Sequence, residues 1–329
     1  MKKKGQRGFS GLILIIVVAV VLAGGIGWYV YTNQIKQQPI AQNLFPTQTV
    51  AEKGVLRVGE TIDEDGLAAD TKEFQPFIDY LVSKLGDKGY TKGEFVGVKT
   101  VSEMAQLVRE EKIDIIIDSA FPVYVVGKLA GAVPIADRWK GGAQIYHSAI
   151  FVKQNSPVKT LDDLKGKMLA FDSTTSTVGY FLPKAELIKQ GYTVTQKNKP
   201  TDACQPTEIC YTFVHASVYE TVAKGITPAG AESELEIDGY FKDKIKDYRV
   251  ISRSLDIYRF LVATNGNMDP NLQNEIKNIL FTLDATPAGR KILDSFAQTA
   301  KFTSIESTDA VYGVIKDLSS LIEDEIVRQ

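Results

Sequence analysis

Apolar runs of strand length alternate with segments of helical spacing through most of the chain. Residues 55–62 predict a buried strand, and the apolar residues within 74–85 keep the spacing of one helix face. Residues 95–98, 101–112 and 113–117 then predict a strand, a helix and a fully buried strand. This βαβαβ order indicates a parallel sheet with helices on both faces.

A second α/β unit follows the first. Its predicted elements are strands at 149–153 and 168–171, a short helix at 160–164, helices at 180–190 and 215–224, strands at 249–252 and 258–263, and a helix at 271–284. We therefore predict two lobes, the first formed by residues 54–148 and the second by 149–252, with residues 253–329 returning to the first lobe and ending in helices. Ligands favour the cleft between two such lobes.

An uncharged apolar segment, residues 9–31, precedes the predicted lobes and follows three lysines and an arginine. About 23 apolar residues can span a bilayer, and the adjacent positive charge predicts a cytoplasmic N-terminus. We expect residues 1–32 to form a basic tip and an uncleaved, single-pass membrane anchor, and residues 33–53 to form a linker. The lobes would then lie outside the cytoplasm. A cleaved signal peptide is the alternative, although its apolar region usually has about 7–15 residues.

The composition is that of a globular protein, with 44% apolar and 24% charged residues and a net charge of −2. No basic surface is evident beyond the first residues, which argues against nucleic acid as a partner. We expect a monomer that touches the membrane through its N-terminal helix.

Few residues offer catalytic or metal-binding chemistry. Cys204 and Cys210 share one polar loop and, outside the cytoplasm, favour a local disulfide over a metal site. Phosphate-cradling glycine motifs and a nucleophile elbow are absent from the sequence, and His147 and His215 are isolated. We therefore expect no enzyme activity, no catalytic residue, no cofactor and no metal.

Five consecutive hydroxyl residues, Ser173, Thr174, Thr175, Ser176 and Thr177, lie between a predicted strand and a predicted helix. Hydroxyls at such a junction can join the unpaired N–H groups of a helix N-terminus in binding an oxyanion. Serine and threonine are also ordinary N-cap residues, so the segment by itself is equally compatible with helix capping.

Several segments in order around this loop carry a family resemblance. They are residues 74–81, 113–124, 146–152 and 161–167, followed by the hydroxyl loop with Gly179 and Pro183. Over residues 54–300 the chain resembles the periplasmic phosphonate-, phosphite- and phosphate-binding proteins of ABC importers. The resemblance implies a two-lobed periplasmic-binding-protein-like fold that closes over a small oxyanion and delivers it to an ABC permease.

The resemblance also implies which residues bind the ligand. In the family a Ser-Thr-Ser loop holds the oxyanion; counted back from Gly179, it falls on Ser176, Thr177 and Val178, so that Thr175 or Thr174 would replace the last hydroxyl. Further candidates are Ser119 and Tyr124 at the end of a first-lobe strand, Tyr146 and His147 at the crossing between lobes, and His215. Tyr124 is equally compatible with a core position. For His147 the alternative is a hinge histidine bonded to the backbone.

Two departures from the family bear on the ligand. Ala216 and Pro228 stand where relatives often carry acidic residues that meet an ammonium group, which argues against an amine-bearing phosphonate. The sequence also allows a receptor for another organic ligand, such as a sulfonate or a thiamine precursor, and a ligand-sensing envelope protein without a transport role.

Overall fold

The computed structural model describes residues 54–62, 66–214, 217–235, 245–296 and 298–322, all within the compact unit formed by residues 51–329. The predicted anchor and linker lie outside the described residues, as does His215. Among the helices that are described, none is long and apolar enough to cross a membrane.

The described strands, numbered along the chain, are β1 (Val55–Thr61), β2 (Lys92–Val98), β3 (Ile115–Ser119), β4 (Val133–Lys140), β5 (Ile145–Tyr146), β6 (Ser148–Lys153), β7 (Met168–Phe171), β8 (Thr193–Gln196), β9 (Glu208–Phe213), β10 (Ala229–Ser233), β11 (Tyr248–Arg253), β12 (Ile257–Tyr258), β13 (Phe260–Thr264) and β14 (Thr299–Thr303). The α-helices are α1 (Leu67–Lys84), α2 (Val101–Arg109), α3 (Ala120–Ala130), α4 (Leu182–Lys189), α5 (Val218–Ala223), α6 (Pro270–Thr282), α7 (Pro287–Ser295) and α8 (Thr308–Ser319).

The first lobe is built on a six-stranded sheet with the order β14-β4-β13-β3-β1-β2. Strand β1 is parallel to β2 and β3, as the sequence predicted. The sheet as a whole is mixed rather than parallel, because β13 runs antiparallel between β3 and β4. This strand follows the chain's return from the second lobe, so it enters the sheet from the opposite end.

The second lobe contains another six-stranded sheet, with the order β11-β6-β10-β7-β9-β8. The pairs β10–β7, β7–β9 and β9–β8 are parallel. Strand β6 is antiparallel to both of its neighbours, β10 and β11. A disulfide joins Cys204 to Cys210 at the start of β9.

The chain crosses between the lobes through two short strands. Strands β5 and β12 pair antiparallel, with Ile257 opposite Tyr146. Residues 258–263, predicted as one strand, are divided at Arg259 between β12 and β13, because the Arg259 N–H donates to the carbonyl of Gln144 at 2.8 Å rather than to a sheet partner.

Two other predicted boundaries differ from the structure. Helix α1 begins at Leu67, whereas the sequence predicted helical spacing only from residue 74. The first two turns were missed because they are largely exposed and carry no apolar periodicity. The helix predicted at 180–190 begins earlier, as a π-helical turn over Thr177–Phe181 that continues into α4.

Apolar residues from both lobes form one buried cluster beside the crossings. The rings of Phe121 in α3 and Phe181 in the π turn stack with their centroids 4.1 Å apart. Val178 and Leu182 of the second lobe belong to the same cluster as Val125 of the first. The lobes are therefore packed against each other along this side, which leaves the cleft beside it as the space between them.

Candidate functional site

A cavity of about 530 Å³ lies between the lobes, a volume suited to a small ligand. Its first-lobe wall comes from the carboxyl ends of β1, β3 and β4, and its second-lobe wall from the segment after β7, the start of α5 and the end of β10. Ligands commonly bind outside the carboxyl ends of parallel strands, where the connecting loops expose polar groups.

Four of the five hydroxyl residues of the predicted loop line the second-lobe wall of the cavity, namely Ser173, Thr175, Ser176 and Thr177. The Ser173 and Thr175 hydroxyl oxygens lie 3.3 Å apart. Ser176 Oγ accepts the Gly179 N–H at 3.0 Å and so caps the π turn. Capping uses only an oxygen lone pair, so the Ser176 O–H can still donate to a ligand. Thr174 is not among the residues that line the cavity.

Thr177 connects the two lobes. Its hydroxyl donates to Ser119 Oγ at 2.8 Å and accepts the Phe121 N–H at 3.2 Å, so it caps the first turn of α3 from the opposite lobe. The residue is 1% exposed although it borders the cavity. With its one proton directed to Ser119, Thr177 holds the lobes in contact and has no second proton for a ligand.

Gly179 allows the loop to fold back on itself. A Cβ atom at this position would lie 2.6 Å from Asp172 Cβ and 2.7 Å from Ser176 Oγ, both closer than side-chain atoms pack. The Asp172 N–H donates to the Gly179 carbonyl at 3.1 Å, which closes the loop. The hydroxyl cluster therefore depends on a glycine at this position.

The remaining candidates are divided between the cavity and other surroundings. Tyr146 is buried and lines the cavity, with the Arg259 guanidinium carbon 5.8 Å from its ring centroid. Tyr124 does not line it: its ring contacts Tyr312 edge-on at 5.2 Å, and its hydroxyl accepts a hydrogen bond from Ser319 at 3.2 Å. Its half-buried ring packs against the apolar cluster shared by the two lobes.

His147 lies at the crossing and is not among the residues lining the cavity. Its Nε2 is 2.6 Å from Glu234 Oε2 and its Nδ1 is 2.9 Å from Asp256 Oδ1. Burial lowers the pKa of His147, but the hydrogen bonds with the two carboxylates outweigh burial and leave the pKa raised. The His147 ring is bonded to two side chains, whereas the alternative that the sequence left open was a hinge histidine bonded to the backbone.

Sequence reasoning missed the charged residues of the cleft. Lys140, at the end of β4, and Arg259, between β12 and β13, provide positive charge; Arg259 Nη1 donates to the Lys140 carbonyl at 2.5 Å. Carboxylates line the cavity as well, namely Glu60, Asp70, Asp118, Asp172 and Glu232. The available signal was positional: Glu60, Asp118 and Lys140 each lie where an apolar strand run ends in a polar side chain.

Burial raises the pKa values of two of these carboxyl groups. Burial, followed by the negative charge of Asp118, raises the pKa of Glu60 to about 8, while Lys140 and Arg138 act in the opposite direction. Burial also raises the pKa of Asp118 to about 6, although hydrogen bonds from Thr61 and Ser119 oppose the shift. Asp118 Oδ2 accepts the Thr61 N–H at 2.8 Å and the Thr61 hydroxyl at 2.7 Å.

Comparison with known families agrees with this geometry. The family described as the periplasmic substrate-binding protein of phosphonate ABC transporters matches residues 68–312. This chain belongs to that family. The phosphonate-binding family supplies extracytoplasmic substrate-binding components of transporters, not enzymes, and its match confirms the family predicted from the ordered segments around the hydroxyl loop.

Solved structures show the same fold for this member of the phosphonate-binding family. The XAC2383 protein of Xanthomonas citri bound to ATP is 22% identical, with 82% of this chain and 98% of that chain covered and a TM-score of 0.74. PhnD1 of Prochlorococcus marinus in complex with methylphosphonate is 18% identical, with 82% of this chain and 98% of that chain covered and a TM-score of 0.61. The aliphatic sulphonate binding protein SsuA of Escherichia coli is 15% identical, with 84% of this chain and 89% of that chain covered and a TM-score of 0.50. The two-lobed α/β fold predicted from the sequence is confirmed.

Proposed function

We propose that this chain binds a small phosphonate-, phosphite- or phosphate-like oxyanion in the cleft and delivers it to an ABC permease. The observation that carries the proposal is the position of Ser173, Thr175 and Ser176 on the cavity wall, at the start of a helical segment. Lys140 and Arg259 border the same cavity. Hydroxyl donors, helix N–H groups and nearby cations together form strong, charge-assisted hydrogen bonds to an oxyanion.

Binding would proceed by hinge closure without covalent chemistry. The crossings β5 and β12 bend, and the hydroxyl loop of the second lobe carries the oxyanion towards Lys140 and Arg259 of the first. The contact of Thr177 with Ser119 lies beside the crossings, so it keeps the lobes aligned while the open side of the cleft narrows.

We further propose that residues 9–31 anchor the protein in the membrane, with the N-terminus in the cytoplasm and the lobes outside. The disulfide between Cys204 and Cys210 supports an oxidising compartment for the lobes. Protease treatment of intact cells carrying the full-length chain would digest the lobes and spare the N-terminal tip.

Isothermal titration of the full-length chain with phosphate, phosphite, methylphosphonate and sulfate tests the oxyanion proposal. We expect at least one of the phosphorus compounds to bind, and the substitutions Thr175→Val and Ser176→Ala each to weaken it about tenfold or more through loss of one charge-assisted hydrogen bond. Thr174→Val is the matched control, because Thr174 does not line the cavity. Folded protein that gives no binding heat with any of the four compounds would exclude the proposal.

A second candidate is a larger organic ligand carrying the same kind of anionic group, such as a sulfonate. The cavity of about 530 Å³ supports it, because methylphosphonate alone would leave much of that volume to water. Mass spectrometry of small molecules released from the purified protein distinguishes this ligand from a simple oxyanion. Uptake assays with and without the permease distinguish transport from a sensing role.

A further inference from the structure

Negative charge predominates on the walls of the cleft. Of the described residues that border the cavity, five carry carboxyl groups and two, Lys140 and Arg259, are cations. A bound oxyanion adds negative charge to this enclosed space, where like charges repel each other more strongly than they do in water. A proton taken up by one of the carboxyl groups removes part of that repulsion.

Glu60 and Asp118 are the two most buried of these carboxyl groups. Glu60 is 9% exposed and Asp118 is 4% exposed. They end the neighbouring parallel strands β1 and β3, which pair with Gly59 opposite Ile116, so both side chains lie at the same edge of the sheet and on the same cavity wall. Two buried carboxylates on one wall repel each other, and one of them therefore gains a proton more easily.

Asp118 is the member of this pair that keeps its charge. Its carboxylate accepts the Thr61 N–H at 2.8 Å, the Thr61 hydroxyl at 2.7 Å and the Ser119 N–H at 2.6 Å. Burial raises the pKa of Asp118 to about 6, and these hydrogen bonds oppose the rise because they favour the ionised form. Asp118 is therefore mostly ionised at neutral pH, which leaves Glu60 as the group that takes the proton.

The charged groups that face Glu60 come from three neighbouring elements. Burial is the largest cause of the rise in the pKa of Glu60 to about 8. Asp118 of β3 and Asp70 of α1 add to the rise, whereas Lys140 and Arg138 of β4 oppose it. A carboxyl group with such a pKa gains or loses its proton close to neutral pH.

We propose that oxyanion binding in the cleft is coupled to protonation of Glu60, so that the protein binds its ligand tightly only while Glu60 carries a proton. This inference rests on the proposed function and adds a regulation of the same site. An anion bound near Glu60 increases the affinity of the carboxylate for a proton. By linkage, the proton increases the affinity for the anion by the same factor.

The sign of the pH dependence follows from this coupling. At neutral pH Glu60 is mostly protonated in the empty cleft, and the oxyanion meets a neutral side chain that can also donate a hydrogen bond. As pH rises through about 8, Glu60 ionises and the anion binds only if a proton is taken up with it. Affinity should therefore fall on the alkaline side.

A metal ion suits this wall less well than a proton does. Donors already occupy the Asp118 oxygens, so Glu60 would be left as the main ligand, and a divalent cation needs more oxygen ligands than this. Within the described residues, the only group of three potential ligand side chains close enough to share an ion is Cys204, Glu208 and Cys210, in a different loop.

Calorimetric titration of the full-length chain with methylphosphonate, phosphite and phosphate at pH 7 and pH 9 tests the coupling. These ligands ionise over the same range, so the quantity to compare is the ratio of the association constants of the native protein and Glu60→Gln, in which ligand ionisation cancels. Glutamine has the size of glutamate and no charge at either pH. We expect this ratio to fall about tenfold from pH 7 to pH 9.

The number of protons taken up is a second, independent measurement. Titrations near pH 8.5 in buffers of different ionisation enthalpy count the protons that accompany binding. We expect the native protein to take up about half a proton or more in excess of Glu60→Gln. A purely structural role of Glu60 would leave this count unchanged.

Glu94→Gln is the matched control, because it makes the same change on the neighbouring strand β2, away from the cavity. Its association constants should follow those of the native protein at both pH values, with the same proton uptake. Thermal unfolding of each variant at both pH values checks that it is folded.

The possible results separate the two proposals. If the ratio for Glu60→Gln is the same at pH 7 and pH 9, or if the native protein takes up no more protons than this variant, the proton coupling is wrong and the oxyanion site stands. If none of the three ligands binds the folded native chain at either pH, both proposals are wrong.

Discussion

Thr175 and Thr177 lie two residues apart on one loop, yet their hydroxyls have different surroundings. Thr177 bonds to Ser119 and to the Phe121 N–H across the lobes, whereas Thr175 faces the cavity. Thr177→Val should lower the free energy of unfolding by about 1–3 kcal/mol, because it leaves a buried N–H group unsatisfied. Thr175→Val should change it by less than about 0.5 kcal/mol.

Urea unfolding of the two valine variants measures these differences, and titration with methylphosphonate measures their effect on binding. Thr175→Val should weaken binding more than Thr177→Val does. Similar losses of stability in both variants would show that Thr177 does not join the lobes.

Glu60 should make stability depend on pH. Because its pKa is raised from 4.5 to about 8, the folded protein binds the proton more tightly than the unfolded chain does. Stability is therefore lost as pH rises through this window, and the loss is complete above about pH 8. Glu60→Gln should be more stable than the native protein by about 2–4 kcal/mol near pH 9 and equally stable near pH 4.

Thermal or urea unfolding of both proteins across this pH range checks the prediction. Glu94→Gln, the same change on the neighbouring strand β2 and away from the cavity, is the control. A native protein as stable as Glu60→Gln near pH 9 would mean that the ionised carboxylate is already satisfied.

The hydroxyl loop could be predicted from sequence because its signal is local: five adjacent hydroxyl residues and a glycine after a strand. Glu60 and Asp118 could not be predicted in this way. They are 58 positions apart, and they meet only because β1 and β3 are neighbours in the sheet. The burial that raises their pKa values is a property of the assembled lobes. Tyr124 was ambiguous for the same reason, since its partners Tyr312 and Ser319 come from the last helix.

The crossing formed by β5 and β12 is flanked by a small charged network. His147 follows β5, Asp256 precedes β12, and Glu234 follows β10 and also bonds to Arg253 at the end of β11. These ion pairs tie the crossing to the second lobe. Protonated His147 can donate to both carboxylates at once, whereas neutral His147 can donate to only one.

Loss of the charge on His147 should loosen the crossing. Its pKa is raised by the two carboxylates in spite of burial, so the stability it contributes is present at acidic pH and is lost as pH rises through the folded-state pKa. The melting temperature of the native protein should exceed that of His147→Gln by about 2 °C near pH 5.5, with a smaller difference near pH 8.5. Differential scanning fluorimetry at both pH values measures this; a difference independent of pH would exclude a role for the charge.

Elements of the first lobe were predicted well where local periodicity was strong. Strand β1, helix α2 and strand β3 have apolar residues in regular positions, and their parallel arrangement followed from chain order. Strand β13 has no local feature that indicates its direction. Its antiparallel placement between β3 and β4 depends on the path of the chain through the second lobe. The sheet was consequently predicted as parallel throughout.

In the molecule as a whole, Phe121 and Phe181 belong to one buried apolar cluster although they come from different lobes. Exposing this cluster would cost each lobe part of its core, so neither lobe can unfold while the other keeps its full stability. The ligand-free protein should therefore melt as one cooperative unit. In scanning calorimetry the van't Hoff and calorimetric enthalpies should agree to within about 10%. Phe121→Ala should split the endotherm into two, one for each lobe.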